Sequence, residues 1–160
     1  MLVEAFVKGA SEKHNVEVVL VRDHHINPCI GCDSCFKREN NSCFQNDNMQ
    51  LIYDKLLHAD MLVVASPVYF YGISAQLKAL IDRLHTPMRN RFAIRRAALL
   101  LVAGNTLPDL FDAILLQYRM ILCYFNIEDL GHILVGGVRE PGAISGHPAL
   151  EKAYQLGRRM

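Results

Sequence analysis

The chain has 160 residues, of which 51% are hydrophobic and 21% are charged, and this length predicts a single globular domain over 1–160. Its 17 Lys and Arg against 16 Asp and Glu give a formal net charge of +1, which excludes a strong field for nucleic acid or an anionic membrane surface. The composition excludes a disordered chain, and no apolar run reaches the roughly 18 residues that a membrane span needs.

The N-terminal segment MLVEAFVKGA lacks a basic start, a long apolar stretch and a small-residue cleavage site, so it does not have the pattern of a secretory signal peptide. We therefore expect a cytoplasmic protein. In that reducing compartment, a tight group of cysteines points to metal or redox chemistry rather than to structural disulfides.

Helical and extended patterns alternate along the chain. In chain order they predict a helix over 2–14, a strand over 17–23, a cysteine-rich loop over 24–46, a helix from Asp47, a strand over 61–68, a helix over 74–85, a strand over 97–104, a helix over 109–125, a strand over 132–138 and a helix over 148–159.

Strands that are apolar on both faces and alternate with helices predict a parallel sheet with helices on both sides, a doubly wound α/β fold of three layers. Ligands of such folds bind outside the carboxyl ends of the strands. The loops to inspect are therefore 24–46, 66–73, 104–109 and 138–147.

The chain opens on a helix, whereas a doubly wound domain normally begins with a strand and a phosphate-binding loop. Only Met1 precedes the first predicted helix. We expect this strand and loop either to be replaced by another element or to belong to roughly twenty upstream residues, the length of one strand plus one loop. A gap should then separate segment 17–23 from strand 61–68, unless the two pair directly or a partner subunit fills it.

Four of the five cysteines have the spacing C-x2-C-x2-C-x7-C, formed by Cys29, Cys32, Cys35 and Cys43. Two-residue gaps allow one loop to bend three thiolates around a compact cubane, which a more distant fourth thiolate can complete, and Gly31 permits the tight turn. The pattern favours a [4Fe–4S] cluster. It leaves open free thiols or a disulfide, and also zinc, although zinc prefers two separated ligand pairs.

The segment SPVYFYGIS (66–74) follows a central apolar strand and precedes a helix. Aromatic side chains at that edge can stack on a flat ring, and Ser66, Ser74 and backbone N–H groups can bond its polar rim. The alternative is that the three aromatic residues cap the core, but three in a row cannot all point inward. After the next strand, the small residues of 103–106 allow close approach of a ring.

Other candidates carry less chemistry. His24 and His25 are predicted to be surface histidines rather than metal ligands or proton donors. Cys123 is predicted to be a buried core thiol. The basic stretch 88–96 is predicted to be a solvated edge before a buried strand. The alternative is that it binds the phosphates of a nicotinamide nucleotide or an acidic electron donor. No nucleophile triad, carboxylate pair or P-loop is present, so we assign no catalytic side chain.

Nearly the whole chain resembles the flavodoxin-like NAD(P)H-dependent FMN reductases, and within them the iron–sulfur flavoproteins. The likeness is most specific at PCIGCDSCF (28–36), DNMQLIYDKLLHAD (47–60), SPVYFYGISAQLKALIDR (66–83) and GHPALEKAYQLGRR (146–159). The resemblance implies a five-stranded parallel sheet, FMN at its carboxyl edge, a [4Fe–4S] cluster on the four cysteines, and homodimers or homotetramers. The flavin-binding positions that it implies are Ser66, Pro67, Val68, Tyr69, Phe70, Tyr71, Gly72, Gly104 and Asn105.

The function expected from these features is electron transfer between NAD(P)H or a low-potential, ferredoxin-like donor and an acceptor, through FMN and the cluster. One alternative is an NAD(P)H-dependent FMN or quinone reductase without a cluster. Another is a non-catalytic oligomeric protein that has lost its flavin site.

Overall fold

A computed structural model describes all residues, Met1–Met160, and shows an α/β fold of six α-helices and four strands. The helices are α1 (Leu2–Ala10), α2 (Ser34–Lys37), α3 (Met49–Leu56), α4 (Ala75–Asp82), α5 (Asp112–Phe125) and α6 (Pro148–Arg159). The strands are β1 (Met61–Tyr69), β2 (Gly72–Ile73), β3 (Arg96–Val102) and β4 (Glu128–Val135). No helix combines the length and the apolar composition that crossing a bilayer requires.

The sheet has the order β2-β1-β3-β4, and β1, β3 and β4 run parallel. The central strand β3 is buried on both faces, as its apolar sequence predicts. Ala98 and Leu100 pack with α1 and α6, whereas Leu99 and Leu101 pack with α5 on the opposite face. The doubly wound arrangement of helices on both faces is therefore confirmed.

The predicted strand over 17–23 is wrong. The chain is extended up to Leu20 and then forms a 3₁₀ turn at Val21–Asp23. No backbone N–H of residues 15–20 donates a hydrogen bond, because no strand lies beside this segment. Its β-branched sequence fits a strand, but a strand exists only where a neighbour accepts its hydrogen bonds.

A gap separates this extended segment from β1. The outer edge of Met61–Pro67 pairs with no strand, since β2 pairs only with Val68 and Tyr69. Residues 16–21 and 61–65 both line a mainly apolar cavity of about 1510 Å³. The sequence-based expectation of such a gap is met, and the two segments do not close it by pairing directly.

Several of the remaining boundaries also differ from the prediction: α1 ends at Ala10 rather than at residue 14, α2 lies within the predicted loop 24–46, and α5 begins at Asp112 rather than at residue 109. The last strand begins at Glu128 rather than at 132 and ends at Val135, because Glu128 and Asp129 already pair with β3 despite their charge. The two-residue strand β2 was missed, since two residues carry no periodicity.

Helices α1 and α6 contact each other closely because each presents a glycine at the crossing. A Cβ built on Gly9 would lie 2.1 Å from the carbonyl oxygen of Tyr154, and one on Gly157 would lie 2.3 Å from that of Phe6. Both obstacles are backbone atoms, which cannot move aside as a flexible side chain can. The glycines therefore set the distance between the two helices that cover one face of the sheet.

We expect Gly157→Ala to lower the free energy of unfolding by about 1–3 kcal/mol, the usual cost of overpacking. Without this contact, alanine in a helix would instead stabilise the protein by up to about 1 kcal/mol. Urea unfolding followed by circular dichroism measures the difference, with the exposed Lys152→Ala of the same helix as control. Unchanged or increased stability of Gly157→Ala would show that the helices do not approach this closely.

Candidate functional site

The hairpin that joins β1 to β2 has a two-residue loop of unusual sequence. Tyr69 pairs with Gly72, so Phe70 and Tyr71 form the turn. Both have positive φ, at 47° and 64°, as a type I′ turn requires, although such turns strongly prefer Asn-Gly. Bulky residues held in this region cost of order 1–3 kcal/mol each. Strain of this kind is concentrated at functional sites, which makes the turn a candidate for ligand contact.

The aromatic side chains of this hairpin face solvent. Tyr69, Phe70 and Tyr71 are 64%, 98% and 53% exposed, so the alternative that they cap the core is wrong. The rings of Phe70 and Tyr71 meet edge to face with their centroids 5.8 Å apart. An apolar, partly rigid surface therefore lies at the carboxyl end of β1, where a doubly wound fold binds its ligands.

Ser66 and Ser74 hold this hairpin in place from inside. The buried Ser66 hydroxyl donates to the carbonyl of Pro67 (2.7 Å) and accepts from the backbone N–H of Ser74 (3.0 Å). The Ser74 hydroxyl accepts from the backbone N–H of Leu77 and caps α4. Both hydroxyls thus support the hairpin and α4, while the Ser74 hydroxyl keeps its proton free to donate to a ligand.

The other positions of this segment divide between surface and core. Pro67 is exposed and Gly72 is half-buried, whereas the half-buried Val68 packs against the cluster that includes Leu99 and Leu101. Pro67 and Gly72 therefore offer backbone at the surface, and the Val68 side chain belongs to the core.

A second part of the carboxyl edge is formed by the loops that follow β3 and β4. The N–H of Gly137 donates to the carbonyl of Asn105 (3.0 Å), and the Arg139 Nε donates to that of Gly104 (3.1 Å). A Cβ on Gly136 would lie 2.7 Å from the Asn105 carbonyl oxygen, so only glycine allows this approach. The importance of Gly136 was missed, although a Gly-Gly pair after an apolar strand signals close backbone contact.

These loops and the aromatic hairpin share one edge of the sheet. Pro67 pairs with Val102, the last residue of β3, so the segments that follow β1 and β3 leave the sheet side by side. Asn105 is exposed there, and its side-chain oxygen accepts from the N–H of Thr106 (2.7 Å).

The cysteine loop carries four unpaired thiols. Cys29 and Cys32 are exposed, while Cys35 and Cys43 are half-buried. Gly31 and Asp33 have positive φ, at 67° and 54°, and these left-handed residues bend the chain between the first three cysteines. Gly31 thus adopts the left-handed conformation that only glycine reaches without strain.

The four thiols lie near one another, but they do not surround a single metal-coordination point. A contact between the Cys32 Sγ and the Ser34 hydroxyl (3.2 Å) lowers the pKa of Cys32. Burial raises the pKa of Cys35, and the nearby thiols of Cys43, Cys29 and Cys32 raise it further. No group of three His, Cys, Asp or Glu side chains is close enough to hold a metal ion. The loop therefore has a thiolate donor set in an open arrangement.

A buried ion pair lies beneath the loop. The guanidinium of Arg83 donates to the carboxylate of Asp47, and their side chains are 3% and 1% exposed. Burial alone would raise the pKa of the Asp47 carboxyl, but hydrogen bonds from Arg83 and from the backbone N–H groups of Asn27 and Met49 outweigh it and lower the pKa. The pair was missed because 36 residues separate its members.

The remaining candidates have structural roles or none. His24 is half-buried and His25 is exposed, and neither belongs to a group that could hold a metal ion. Cys123 is exposed, so the predicted burial is wrong: this position of α5 faces away from the sheet. In the basic stretch, Met88, Phe92 and Ile94 are buried, and the Arg89 guanidinium lies over the rings of Phe36 (5.7 Å) and Tyr124 (5.4 Å).

Comparisons with known proteins show the family of this chain. Residues 1–123 match the model of the family described as NADPH-dependent FMN reductase. An iron–sulfur flavoprotein of Methanosarcina thermophila is 32% identical over 153 residues, which cover 94% of this chain and 76% of that protein. One from Methanocaldococcus jannaschii is 41% identical over 92 residues, 58% of this chain and 46% of that protein. The match therefore spans about half the length of that second relative.

Solved structures support the fold. An NAD(P)H:quinone oxidoreductase from Methanothermobacter marburgensis superposes with a TM-score of 0.75 at 23% identity, over 99% of this chain and 86% of that one. The Trp repressor binding protein of Bacillus subtilis gives a TM-score of 0.61 at 25% identity, over 71% and 78%. With its flavodoxin-like sheet, its strained aromatic hairpin and its four-cysteine loop, the chain belongs to the NADPH-dependent FMN reductase family, in the iron–sulfur flavoprotein branch.

Proposed function

We propose that this protein is an FMN-dependent oxidoreductase in which a [4Fe–4S] cluster on Cys29, Cys32, Cys35 and Cys43 exchanges electrons with the flavin. The observation that carries the proposal is the set of four unpaired thiols on one loop of an FMN reductase fold. A reductase that uses flavin alone has no chemical need for four thiols at this spacing.

FMN is proposed to bind at the carboxyl edge, over the hairpin and the loop after β3. A flat ring fits against the exposed Tyr69, Phe70 and Tyr71. Gly104 and Asn105 lie at the same edge, where the Arg139 Nε donates to the Gly104 carbonyl and places a cation beside the proposed site. Pro67, Val68 and Gly72 shape the hairpin, and the hydrogen bonds of Ser66 fix it. Bound FMN would supply two-electron acceptance and one-electron release.

The donor set of the cysteine loop fits an iron–sulfur cluster in its chemistry. Four thiols without disulfide partners are the ligands that such clusters require, and the left-handed Gly31 and Asp33 let the backbone turn around a compact group. Closure of the open loop around the metal would complete the site. A cluster there would supply one-electron transfer.

The chain's own residues would bind, orient and shield these groups rather than attack a substrate. The hairpin excludes water from one face of a bound ring, and burial and hydrogen bonding at each site tune its potential. NAD(P)H and a low-potential, ferredoxin-like protein are the proposed donors, and a quinone, an oxygen species or another flavin is the proposed acceptor.

An NAD(P)H-dependent FMN or quinone reductase without a cluster is the second candidate. The open arrangement of the thiols favours it, since no three of them share one coordination point. The two candidates agree on the flavin and differ in iron content.

The cofactor content of the purified protein tests the proposal. Protein purified without oxygen is expected to contain FMN, iron and sulfide, and to show flavin bands with a broad shoulder that dithionite bleaches. Cys32→Ser should lose most of the iron and keep its FMN, because it removes one thiolate ligand at a surface position.

The matched control is Cys123→Ser, since Cys123 is also exposed but lies outside the loop, and it should keep wild-type iron. Wild-type protein with FMN and no iron would favour the second candidate. A colourless protein that takes up no added FMN would contradict both and leave the non-catalytic alternative.

Another prediction concerns the strained hairpin. Replacing both Phe70→Asn and Tyr71→Gly gives the turn its preferred residues, so the free energy of unfolding should rise by about 1–3 kcal/mol. FMN affinity should fall about tenfold or more, because two stacking surfaces are removed. Thermal unfolding and fluorescence titration with FMN measure the two effects. Weaker flavin binding without a gain in stability would contradict the strain, and unchanged binding would contradict the flavin site.

We also propose that the protein forms a homodimer or homotetramer through α5. Leu116, Met120 and Tyr124 are 56%, 66% and 53% exposed, and their spacing of four places them on one stripe of the helix. Exposed apolar stripes are typical of contact surfaces.

Met120→Glu should therefore shift the protein towards the monomer in sedimentation velocity, because it places a charge within an apolar contact. The neighbouring exposed Arg119→Glu is the control and should leave the distribution unchanged. A wild-type protein that is monomeric at all concentrations would contradict the proposal.

A further inference from the structure

Both ends of the cysteine loop are attached to the same buried ion pair. The Asp47 carboxylate accepts from the backbone N–H of Asn27 (2.9 Å) at the start of the loop and from that of Met49 (3.1 Å) at the start of α3. The Arg83 guanidinium donates to Asp47 and to the carbonyl of Asn27 (3.2 Å). One carboxylate and one guanidinium therefore close the base of a loop that carries all four candidate ligands.

Neighbouring hydrogen bonds reinforce this closure. His25 and Asn48 exchange two bonds: the N–H of His25 donates to the Asn48 side chain (2.8 Å), and the N–H of Asn48 donates to the carbonyl of His25 (2.9 Å). The Gln45 amide donates to the carbonyl of Pro28 (3.1 Å) across the loop. The two stems are thus held together from residue 25 to residue 48, and the cysteines lie between them.

Arg83 is held through both its backbone and its side chain. Its backbone carbonyl accepts from the Tyr53 hydroxyl (2.7 Å), and Tyr53 is itself buried in the core. Burial raises the pKa of Tyr53 to about 12, so this hydroxyl stays a neutral donor. The guanidinium cannot leave its position without breaking the ion pair and the bond to Asn27.

Arg83 also lines a cavity with one of the four cysteines. Arg83, Tyr53 and Cys43 line one cavity of about 320 Å³, together with Asp47 and the last residues of the loop. The guanidinium also donates to the carbonyl of Asn27 (3.2 Å), which lies two residues before Cys29. Water screens charges weakly at such a buried position, so a fixed cation there acts strongly on a nearby anionic group.

We propose that Arg83 is a positioning residue for the cysteine loop, and that its buried guanidinium, offset in part by Asp47, raises the reduction potential of the group that the four thiolates bind. This inference rests on the proposed function, because it assumes that the thiolates hold an iron–sulfur cluster. A cluster with four thiolates carries net negative charge, and reduction adds another electron. A fixed cation stabilises the reduced form more than the oxidised form.

The alternative is that the ion pair only holds the two stems together. The two roles predict different signs for the shift in reduction potential when one partner is removed. If the pair only holds the stems, removing either partner loosens the loop and moves any potential in the same direction. If the charges act on the cluster, loss of the Arg83 cation lowers the potential, whereas loss of the Asp47 anion raises it.

The test uses anaerobically purified protein and measures iron content and the reduction of the cluster at fixed solution potentials. Arg83→Met should raise the oxidised-to-reduced ratio about tenfold, which corresponds to 59 mV for a one-electron couple. Asp47→Asn should change this ratio at least threefold in the opposite direction. Arg83→Lys keeps the charge and should stay within threefold of wild type, although it loses the planar fork of the guanidinium and retains less iron.

The matched control is Lys78→Met, which removes a cation from an exposed ion pair on α4, between Lys78 and Asp82. It should leave iron content and potential unchanged. Because removal of one buried partner is strongly destabilising, a variant with both Arg83→Met and Asp47→Leu provides a second measurement. Without a lone buried charge it should fold, bind iron with a loosened loop, and show a smaller shift than Arg83→Met alone.

The outcomes separate the inference from the proposed function. If the potential shifts in the same direction in Arg83→Met and Asp47→Asn, or shifts in neither, the inference is overturned and the cluster proposal still stands. If the wild type holds no iron after reconstitution, the cluster proposal fails, and the same variants are titrated with Co²⁺ as a thiolate probe. Binding at least tenfold weaker in Arg83→Met than in wild type and Lys78→Met then supports the charge role. Equal binding, or none in the wild type, overturns it.

Discussion

The burial of β3 on both faces is the constraint on which the rest of the fold depends. A strand that is apolar on both sides must be covered on both sides, and the alternating residues of β3 divide the core between α1 and α6 on one face and α5 on the other. Parallel pairing with β1 and β4 then directs the ends of all three strands to one edge. The aromatic hairpin and the loops at 103–106 and 136–139 meet there as a consequence of chain direction.

The elements that the sequence predicted correctly are those whose signal is local. The apolar run of β3 indicates burial on both faces, and the periodic apolar residues of α5 and α6 indicate burial on one face. The existence and type of these elements therefore follow from the local pattern. The failures depend on partners. Residues 17–20 have strand composition and are extended, but strand formation is a property of two backbones, and no second backbone lies beside them. Cys123 was misplaced because an apolar surrounding sequence does not reveal which side of a helix a residue occupies.

The candidate site divides in the same way. The cysteine spacing and the run of three aromatic residues are contiguous, and sequence alone identifies them. Sequence could not show that Phe70 and Tyr71 are held at positive φ, because their side chains argue against that conformation. Nor could it show the contact between Asp47 and Arg83, since the two residues come together only when α3 and α4 pack. Local patterns thus marked the candidate ligand-binding segments, and the tertiary structure added the residues that hold these segments in place.

Helix α4 connects these two surfaces. Its first turn is capped by Ser74, which is bonded to Ser66 beneath the aromatic hairpin, and the residue that follows its last turn is Arg83, beneath the cysteine loop. Eight helical residues span about 12 Å. The helix is therefore a short and stiff connection between the aromatic hairpin and the cysteine loop. Leu77 and Leu80 are buried along its length, so the core fixes the helix and the helix fixes both sites.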